Sequence, residues 1–412
     1  MKNIIIIGAG TGGTMIANKL YKALDKKEWQ ITIIDPSEIH YYQPGFLFIP
    51  FGIYSKKDVE KPTKKFLPKK INFICSEVDS INPLDNTVIL KNQNVLSYDY
   101  LFVSSGTRLS PEDTPGLKDK LWQVDIFEFY TAEGAIALGQ KLKNFKGGKL
   151  VMSIVDLPFK CPIAPIEFVC LADEYLKKKG IREKTEIIYV TPLSGAFTKP
   201  IASKMLNNLL LSKNIKIVPD FYIEKIDNDN KKLISYDGRD VPFDLLVIVP
   251  LNKGADFIEK SGLGDELNFV PVNMHTLQVE KHPNIFVLGD AAAIPTSKAG
   301  SVVHFAGEIV FKNFMSIIKN KNIIHSFDGH ANCFIEAGHG KATIIDFNYN
   351  TEPLPGKYPV PLFGPFSLLS VNRLNHIGKL LFKWLYWKFI IKGRYIPISS
   401  NMSTKGKKQM FN

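Results

Sequence analysis

Residues 3–35 constrain this chain more than any other stretch. The run Ile4-Ile5-Ile6-Ile7 leads directly into Gly8-Ala9-Gly10-Thr11-Gly12-Gly13, and a second apolar run, Ile31-Thr32-Ile33-Ile34, ends at Asp35. Strand, glycine turn, helix and strand in that order make a βαβ unit, whose parallel strands need the crossover helix between them. The glycines are spaced G-x-G-x-x-G. Gly8 allows the tight turn, Gly10 lets a pyrophosphate approach the backbone, and Gly13 lets helix and strand pack closely. The helix start then offers free N–H groups and a positive dipole end to the phosphates. Asp35 stands where a carboxylate binds a ribose hydroxyl, which fits FAD or NAD and argues against NADP.

At 412 residues, with 45% hydrophobic and 22% charged side chains, the chain is long enough for two or three domains with buried cores. Its four cysteines lack metal-ligand spacing, so neither a zinc module nor a secreted disulfide scaffold is expected, and no metal is assigned. No uncharged apolar stretch reaches the roughly 18 residues of a membrane-spanning helix. The N-terminus enters a strand at once, so no signal peptide is expected. Charge is distributed unevenly. After Glu352 there is no acid, while ten basic residues follow, from Lys357 to Lys408. Such a tail points to an anionic partner.

Two further motifs choose between the dinucleotides. Asn284–Leu288 followed by Gly289-Asp290-Ala291-Ala292 resembles the flavin-binding Gly-Asp motif of the two-dinucleotide-domain flavoproteins. Leu101-Phe102-Val103-Ser104-Ser105-Gly106-Thr107 is similar to the Ala-Thr-Gly strand of the same proteins, with Ser105 in the middle position and Gly106 closing it. Three motifs in order make FAD the expected cofactor. The expected fold is α/β, with two Rossmann-like dinucleotide-binding domains in the glutathione-reductase manner and a C-terminal membrane-anchoring segment. The FAD domain is expected over 1–112 and 285–340, the second Rossmann-like domain with the redox cysteine over 113–284, and the quinone and membrane-interface segment over 341–412.

Members of this superfamily differ in where electrons enter. Dithiol–disulfide reductases carry C-x4-C in the first domain, where this chain has His40-Tyr41-Tyr42-Gln43-Pro44-Gly45-Phe46. NADH-dependent members carry a second glycine loop after the strand equivalent to Lys149–Val155, where this chain has Asp156-Leu157-Pro158-Phe159-Lys160-Cys161-Pro162 and no glycine. The segment from Cys161 through Pro165 to Glu167 resembles the Cys-Pro-x-Ala-Pro-x-Glu signature of sulfide:quinone oxidoreductases and flavocytochrome c sulfide dehydrogenases. Pro295–Gly300 is similar to their Pro-x-x-Lys-x-Gly, which assigns Lys298 and Gly300 to the cofactor. Ala331–Glu336 looks like the segment bearing a second redox cysteine, Cys333.

The chemistry of the residues agrees with that resemblance. Oxidising sulfide to zero-valent sulfur needs an electrophilic sulfur for HS⁻ to attack, which a disulfide or polysulfide between two cysteines supplies. Cys161 and Cys333 are therefore the expected catalytic pair, with Glu167 accepting or relaying the proton. Cys170, inside an apolar run, and Cys75 read as packing residues, as do His40 and His304.

The tail indicates the electron acceptor. Leu380–Lys392 mixes aromatic and apolar side chains with isolated lysines, the composition of an interfacial anchor. Ile377, Leu380, Leu381, Trp384 and Leu385 fit one helical face, but the lysines are spread around the axis, so two short helices or one helix with snorkelling lysines are expected. A peripheral enzyme at the cell membrane suits a quinone acceptor, with Phe334, Phe347 and Phe363 as stacking candidates. No nucleic-acid module accompanies the charge. The alternatives are a type II NADH:quinone dehydrogenase, a flavocytochrome c flavoprotein subunit, and a flavin-binding adaptor without activity. Quinone type, the length of the sulfur product, homo-oligomerisation and covalent attachment of the flavin stay open.

Overall fold

A computed structural model describes residues 1–408. Its first sheet has the strand order Gln278–Val279, His282–Val287, Tyr100–Val103, Lys2–Ile7, Trp29–Asp35 and Asn72–Cys75. Lys2–Ile7 has neighbours on both sides, and Ile4–Ile7 are all buried. An unbroken apolar run is what a central parallel strand covered on both faces requires. Two helices, Thr11–Ala23 and Gly300–Ile317, approach closely at one point, where a side-chain carbon added to Gly307 would lie 2.1 Å from Met15 Cε.

The second sheet is wholly parallel: Ile126–Phe127, Leu245–Val249, Gly148–Ile154, Thr185–Val190 and Ile215–Val218. The chain crosses between the two domains through the antiparallel pair Arg108–Ser110 and Leu251–Lys253. That pair moves the expected boundary. Residues after Lys253 return to the first domain: the Ser261 hydroxyl accepts from Ile81 N–H at 2.7 Å, and Gln278–Val279 edges the first sheet. The second domain therefore ends near residue 253 rather than 284. Short strands with little periodicity hide that return in the sequence.

The cut at 340/341 also shifts, because Ala331–Gly338 and Lys341–Phe347 form one antiparallel hairpin. Its turn places Gly338, His339 and Gly340 all at positive φ. Beyond the hairpin, Asn372 caps the helix Arg373–Leu385 by accepting from Asn375 N–H at 2.9 Å. A π-turn, Tyr386–Ile390, continues it. Leu374, Ile377, Leu380, Leu381 and Trp384 face outward and are exposed, while Lys379 and Lys383 turn inward to Glu167 and Asp58. The usual arrangement of a surface helix is inverted: its apolar stripe meets solvent and two of its lysines meet the protein. Leu385, by contrast, packs inward, and Tyr386, Trp387, Ile390 and Ile391 are buried in the first domain. The tail is thus one helix with an exposed apolar stripe plus a core-packed turn. Among the described residues no helix is long and apolar enough to cross a membrane.

Candidate functional site

A cavity of about 350 Å³ runs from the glycine turn to the two cysteines. At one end Gly8 has φ +95°, and a side-chain carbon there would lie 2.3 Å from Ser104 O. The same carbon on Gly13 would lie 1.8 Å from Gly8 O, so turn, helix and strand are packed backbone to backbone. Gly10 differs. Nothing lies within 4 Å of its added carbon, and it lines the cavity. Asp35 is held by its neighbours, with Ala9 N–H donating to Oδ2 at 2.7 Å and Ser37 N–H to Oδ1 at 2.8 Å. Burial raises its carboxyl against those two bonds.

His40 lies beneath this turn. Its Nδ1 is 2.9 Å from Ala9 O and its Nε2 is 2.7 Å from the Tyr386 hydroxyl. Burial lowers the ring to about 4, so it is neutral and braces the turn. Ser105 and Gly106 border the cavity, and the buried Ser105 hydroxyl has no partner among the described residues. Gly289, at φ +70°, turns the chain so that Asp290 also borders the cavity. Lys298 lines the cavity as well. Its ammonium donates to the main-chain oxygens of Asp290 at 2.7 Å and Ala292 at 3.1 Å, so it stabilises that turn. Gly300 opens its helix at the cavity wall. An open glycine approach, an unpartnered hydroxyl, an acid and a helix start are features that fit an elongated dinucleotide.

At the other end the loop after Gly148–Ile154 carries Cys161. Phe159 and Ile163 are buried within it, large side chains in a loop where nucleotide-binding relatives of this fold carry glycine. Cys161 takes a left-handed φ of +53°. Its N–H donates to Lys298 O at 2.7 Å, and its carbonyl accepts from Ala164 N–H at 2.9 Å and from the Tyr130 hydroxyl at 3.3 Å. The second domain's cysteine is thus fastened to the first domain's Lys298 loop. Cys333 comes from the hairpin strand, and both thiols line the cavity with Glu167 and Lys379. Burial pushes each thiol up to about 12; Glu167 adds to the rise at Cys161, and Lys379 opposes it at both. Cys170 and His304 are buried and do not border the cavity, as packing residues would be. Cys75 is exposed at the end of its strand, which corrects its reading as a packing residue: the strand edges the sheet.

Of the three aromatic candidates only Phe334 reaches the cavity. It meets Phe366 edge-on at 5.0 Å, and its carbonyl accepts from Lys379 Nζ at 3.0 Å. Phe347 is buried against Phe197, and Phe363 is 86% exposed on a surface loop, so neither can stack on a ring bound in the cavity. Phe382, one turn beyond Lys379 on the C-terminal helix, does border it. Lys160, Lys379, Tyr130 and Phe382 are cavity residues that the sequence reading missed. A tail rich in lysine gives no sign that Lys379 reaches the cavity.

Two α/β domains with mainly parallel sheets, joined by a short ribbon, with a glycine turn and a cysteine loop facing one cavity, define an oxidoreductase of the two-dinucleotide type. Residues 2–145 match the pyridine nucleotide-disulphide oxidoreductase family, and residues 135–250 match the central part of the sulfide dehydrogenase (flavocytochrome c) flavoprotein chain. Within that class the chain resembles the sulfide:quinone oxidoreductases over nearly its whole length. The mitochondrial sulfide:quinone oxidoreductase of Dictyostelium discoideum is 29% identical over 99% of this chain and 88% of its own length. A type II NADH:quinone oxidoreductase of Staphylococcus aureus is 25% identical over 93% of this chain and 98% of its own. The solved sulfide:quinone oxidoreductase of Aquifex aeolicus shares the fold, with a TM-score of 0.80 at 22% identity over 96% of this chain and 92% of that one.

Proposed function

We propose that this chain is an FAD-dependent sulfide:quinone oxidoreductase that oxidises hydrogen sulfide to zero-valent sulfur or polysulfide through Cys161 and Cys333. The single observation that carries this reading is that two cysteines from different parts of the chain line one cavity with the glycine turn and Asp290. Gly8 and Gly10, in the turn that Gly13 lets pack closely, would receive the pyrophosphate, Asp35 the ribose, and Ser105, Gly106, Gly289, Asp290, Lys298 and Gly300 the rest of FAD. FAD, when bound, supplies a two-electron acceptor between sulfur and quinone.

With Cys161 and Cys333 joined as a disulfide, HS⁻ attacks one sulfur. An S–S bond forms and the old one breaks, leaving one cysteine as a persulfide and the other as a thiolate; closure of these two into a trisulfide bridge, Cys–S–S–S–Cys, releases one proton and gives up two electrons that FAD would accept. Burial holds both free thiols up near 12, so the uncharged disulfide suits this pocket better than a resting thiolate does. Glu167, buried and paired with Lys379 at 2.7 Å, takes the proton that the sulfur releases. The quinone ring would lie beside Phe334 and Phe382, with Lys379 at one of its oxygens. It would arrive along the outward apolar face of Arg373–Leu385, which would hold the protein to the membrane surface.

The relatives named as type II NADH:quinone oxidoreductases share the length and general order of this chain. Against NADH stands the loop Val155–Ile163, which lacks glycine and is packed with Phe159 and Ile163. Anaerobic titration of the yellow holoprotein decides between the two. Na₂S should bleach the visible flavin band and NADH should leave it; bleaching by NADH alone would reverse the assignment.

A further inference from the structure

Quinone reduction takes up more protons than sulfide oxidation returns. The balanced reaction, HS⁻ + Q + H⁺ → S⁰ + QH₂, draws one proton from water per turnover: HS⁻ gives up two electrons and its own proton, and Q takes two electrons and two protons. Cofactor and quinone bound in the cavity would stand between Lys379 and the water on that side. A route through the protein is then needed.

Behind Lys379 stands a second acid. The Glu336 N–H donates to Glu167 Oε1 at 2.7 Å, the same oxygen that Lys379 Nζ meets at 2.7 Å. The Lys379 ammonium, the Glu167 carboxyl and the main chain of Glu336 therefore meet at one oxygen, from the C-terminal helix, the helix Ala164–Lys178 and the hairpin strand, and the charges of Lys379 and Glu167 both act on the Glu336 carboxyl. Glu167 and Glu336 are each only 1% exposed, and each keeps one oxygen, Oε2, without a partner among the described residues. Glu336 does not border the cavity. Its other oxygen, Oε1, lies 2.8 Å from His376 Nδ1, and the His376 side chain is 26% exposed. His376 and Lys379 are three residues apart on one helix, hence on one face.

We propose that His376 and Glu336 form a proton path from bulk water to the Lys379–Glu167 pair at the quinone. An acid buried between a cavity pair and a part-exposed histidine is what a relay needs, because it can take a proton from the solvent side and pass it inward. Burial lifts Glu336 to about 7, which puts its titration in that range. The groups facing it are Glu167 and Cys170 on one helix, Lys379 and His376 on another, and Tyr54 from the first domain.

The relay rests on quinone being the acceptor, and its test separates the two. Dithionite-reduced holoenzyme, mixed with decylubiquinone in a stopped-flow instrument, reports flavin reoxidation without any sulfide step. His376→Ala should slow reoxidation about tenfold or more at pH 8 and much less at pH 6, with added imidazole restoring it. Glu336→Gln, which keeps the shape, should slow it without imidazole rescue. Flavin reduction by sulfide should stay within about twofold of wild type in both. Unchanged reoxidation in His376→Ala, or slowing that neither imidazole nor pH alters, would overturn the path while leaving the activity intact. A wild-type enzyme that quinone cannot reoxidise would overturn the quinone reading and the path with it.

Discussion

The Tyr386 hydroxyl lies 2.7 Å from His40 Nε2 and 2.9 Å from Thr11 Oγ1, so a residue of the C-terminal tail closes the floor beneath the glycine turn. Asn18 strengthens the link, its Nδ2 donating to Ile391 O at 2.9 Å. The tail is part of the cofactor pocket as well as a surface for something else.

Removing everything after Ser370 should therefore do more than detach the protein from a membrane. It strips Tyr386, Trp387 and Ile391 from the core, and the truncated chain should lose FAD and melt at lower temperature, as absorbance and thermal unfolding would record. The anchor is tested more cleanly at the outward face. Leu381→Ser with Trp384→Ser should keep FAD and the melting temperature while weakening binding to anionic vesicles in a flotation assay. Unchanged flotation would show that this face does not meet the bilayer.

The glycines of the turn make an internally controlled pair. An alanine methyl at Gly13 would meet Gly8 O at 1.8 Å, backbone against backbone, with nothing able to yield. Gly13→Ala should lower the apoprotein's stability by several kcal/mol, or prevent folding, because the overlap is unavoidable in the native turn. Gly10→Ala has open space, so its apoprotein should melt like wild type. Only its FAD affinity should fall, by about tenfold or more, since the methyl occupies the phosphate's line of approach. Equal loss of apoprotein stability in both variants would contradict this division.

How these features register in the sequence explains the uneven success of reading it. The glycine turn is local: strand, turn and helix are contiguous, and each residue type has its own steric reason. The apolar run at Ile4–Ile7 is likewise its own signature of a central strand. Phe347 shows the opposite case. Alternation along Lys341–Phe347 does not say which side faces the cavity, and its ring packs on Phe197 instead. The Lys379–Glu167–Glu336–His376 cluster joins three elements far apart in sequence, so no spacing rule could expose it. Lys379 reads as one of many tail lysines until the fold buries it.

Titration of Glu336 makes a pH prediction with a definite sign. Its carboxyl moves from 4.5 to about 7 on folding because of burial, with Glu167 adding to the rise and Lys379 and His376 opposing it. Between those values the folded chain keeps a proton that the unfolded chain has lost. This group's contribution to stability is therefore greatest in acid and declines as pH rises toward 7. Glu336→Gln cannot titrate, so its melting temperature relative to wild type should be higher at pH 8 than at pH 5. Parallel pH curves for the two proteins would show that the carboxyl is not raised.

The cysteines carry the last prediction. Cys161→Ser and Cys333→Ser should each keep the bound flavin's absorbance and lose sulfide-driven flavin reduction, because a hydroxyl can neither form the disulfide nor hold a persulfide. Reoxidation of chemically reduced flavin by quinone should survive in both, since it needs no sulfur. Cys170 is the control. It is fully buried and does not border the cavity. Cys170→Ser places a hydroxyl in apolar packing and should cost about 1–3 kcal/mol of stability, with sulfide oxidation retained at temperatures where the variant is folded. Sulfide-driven reduction at the wild-type rate in either Cys161→Ser or Cys333→Ser would remove that residue from the reaction.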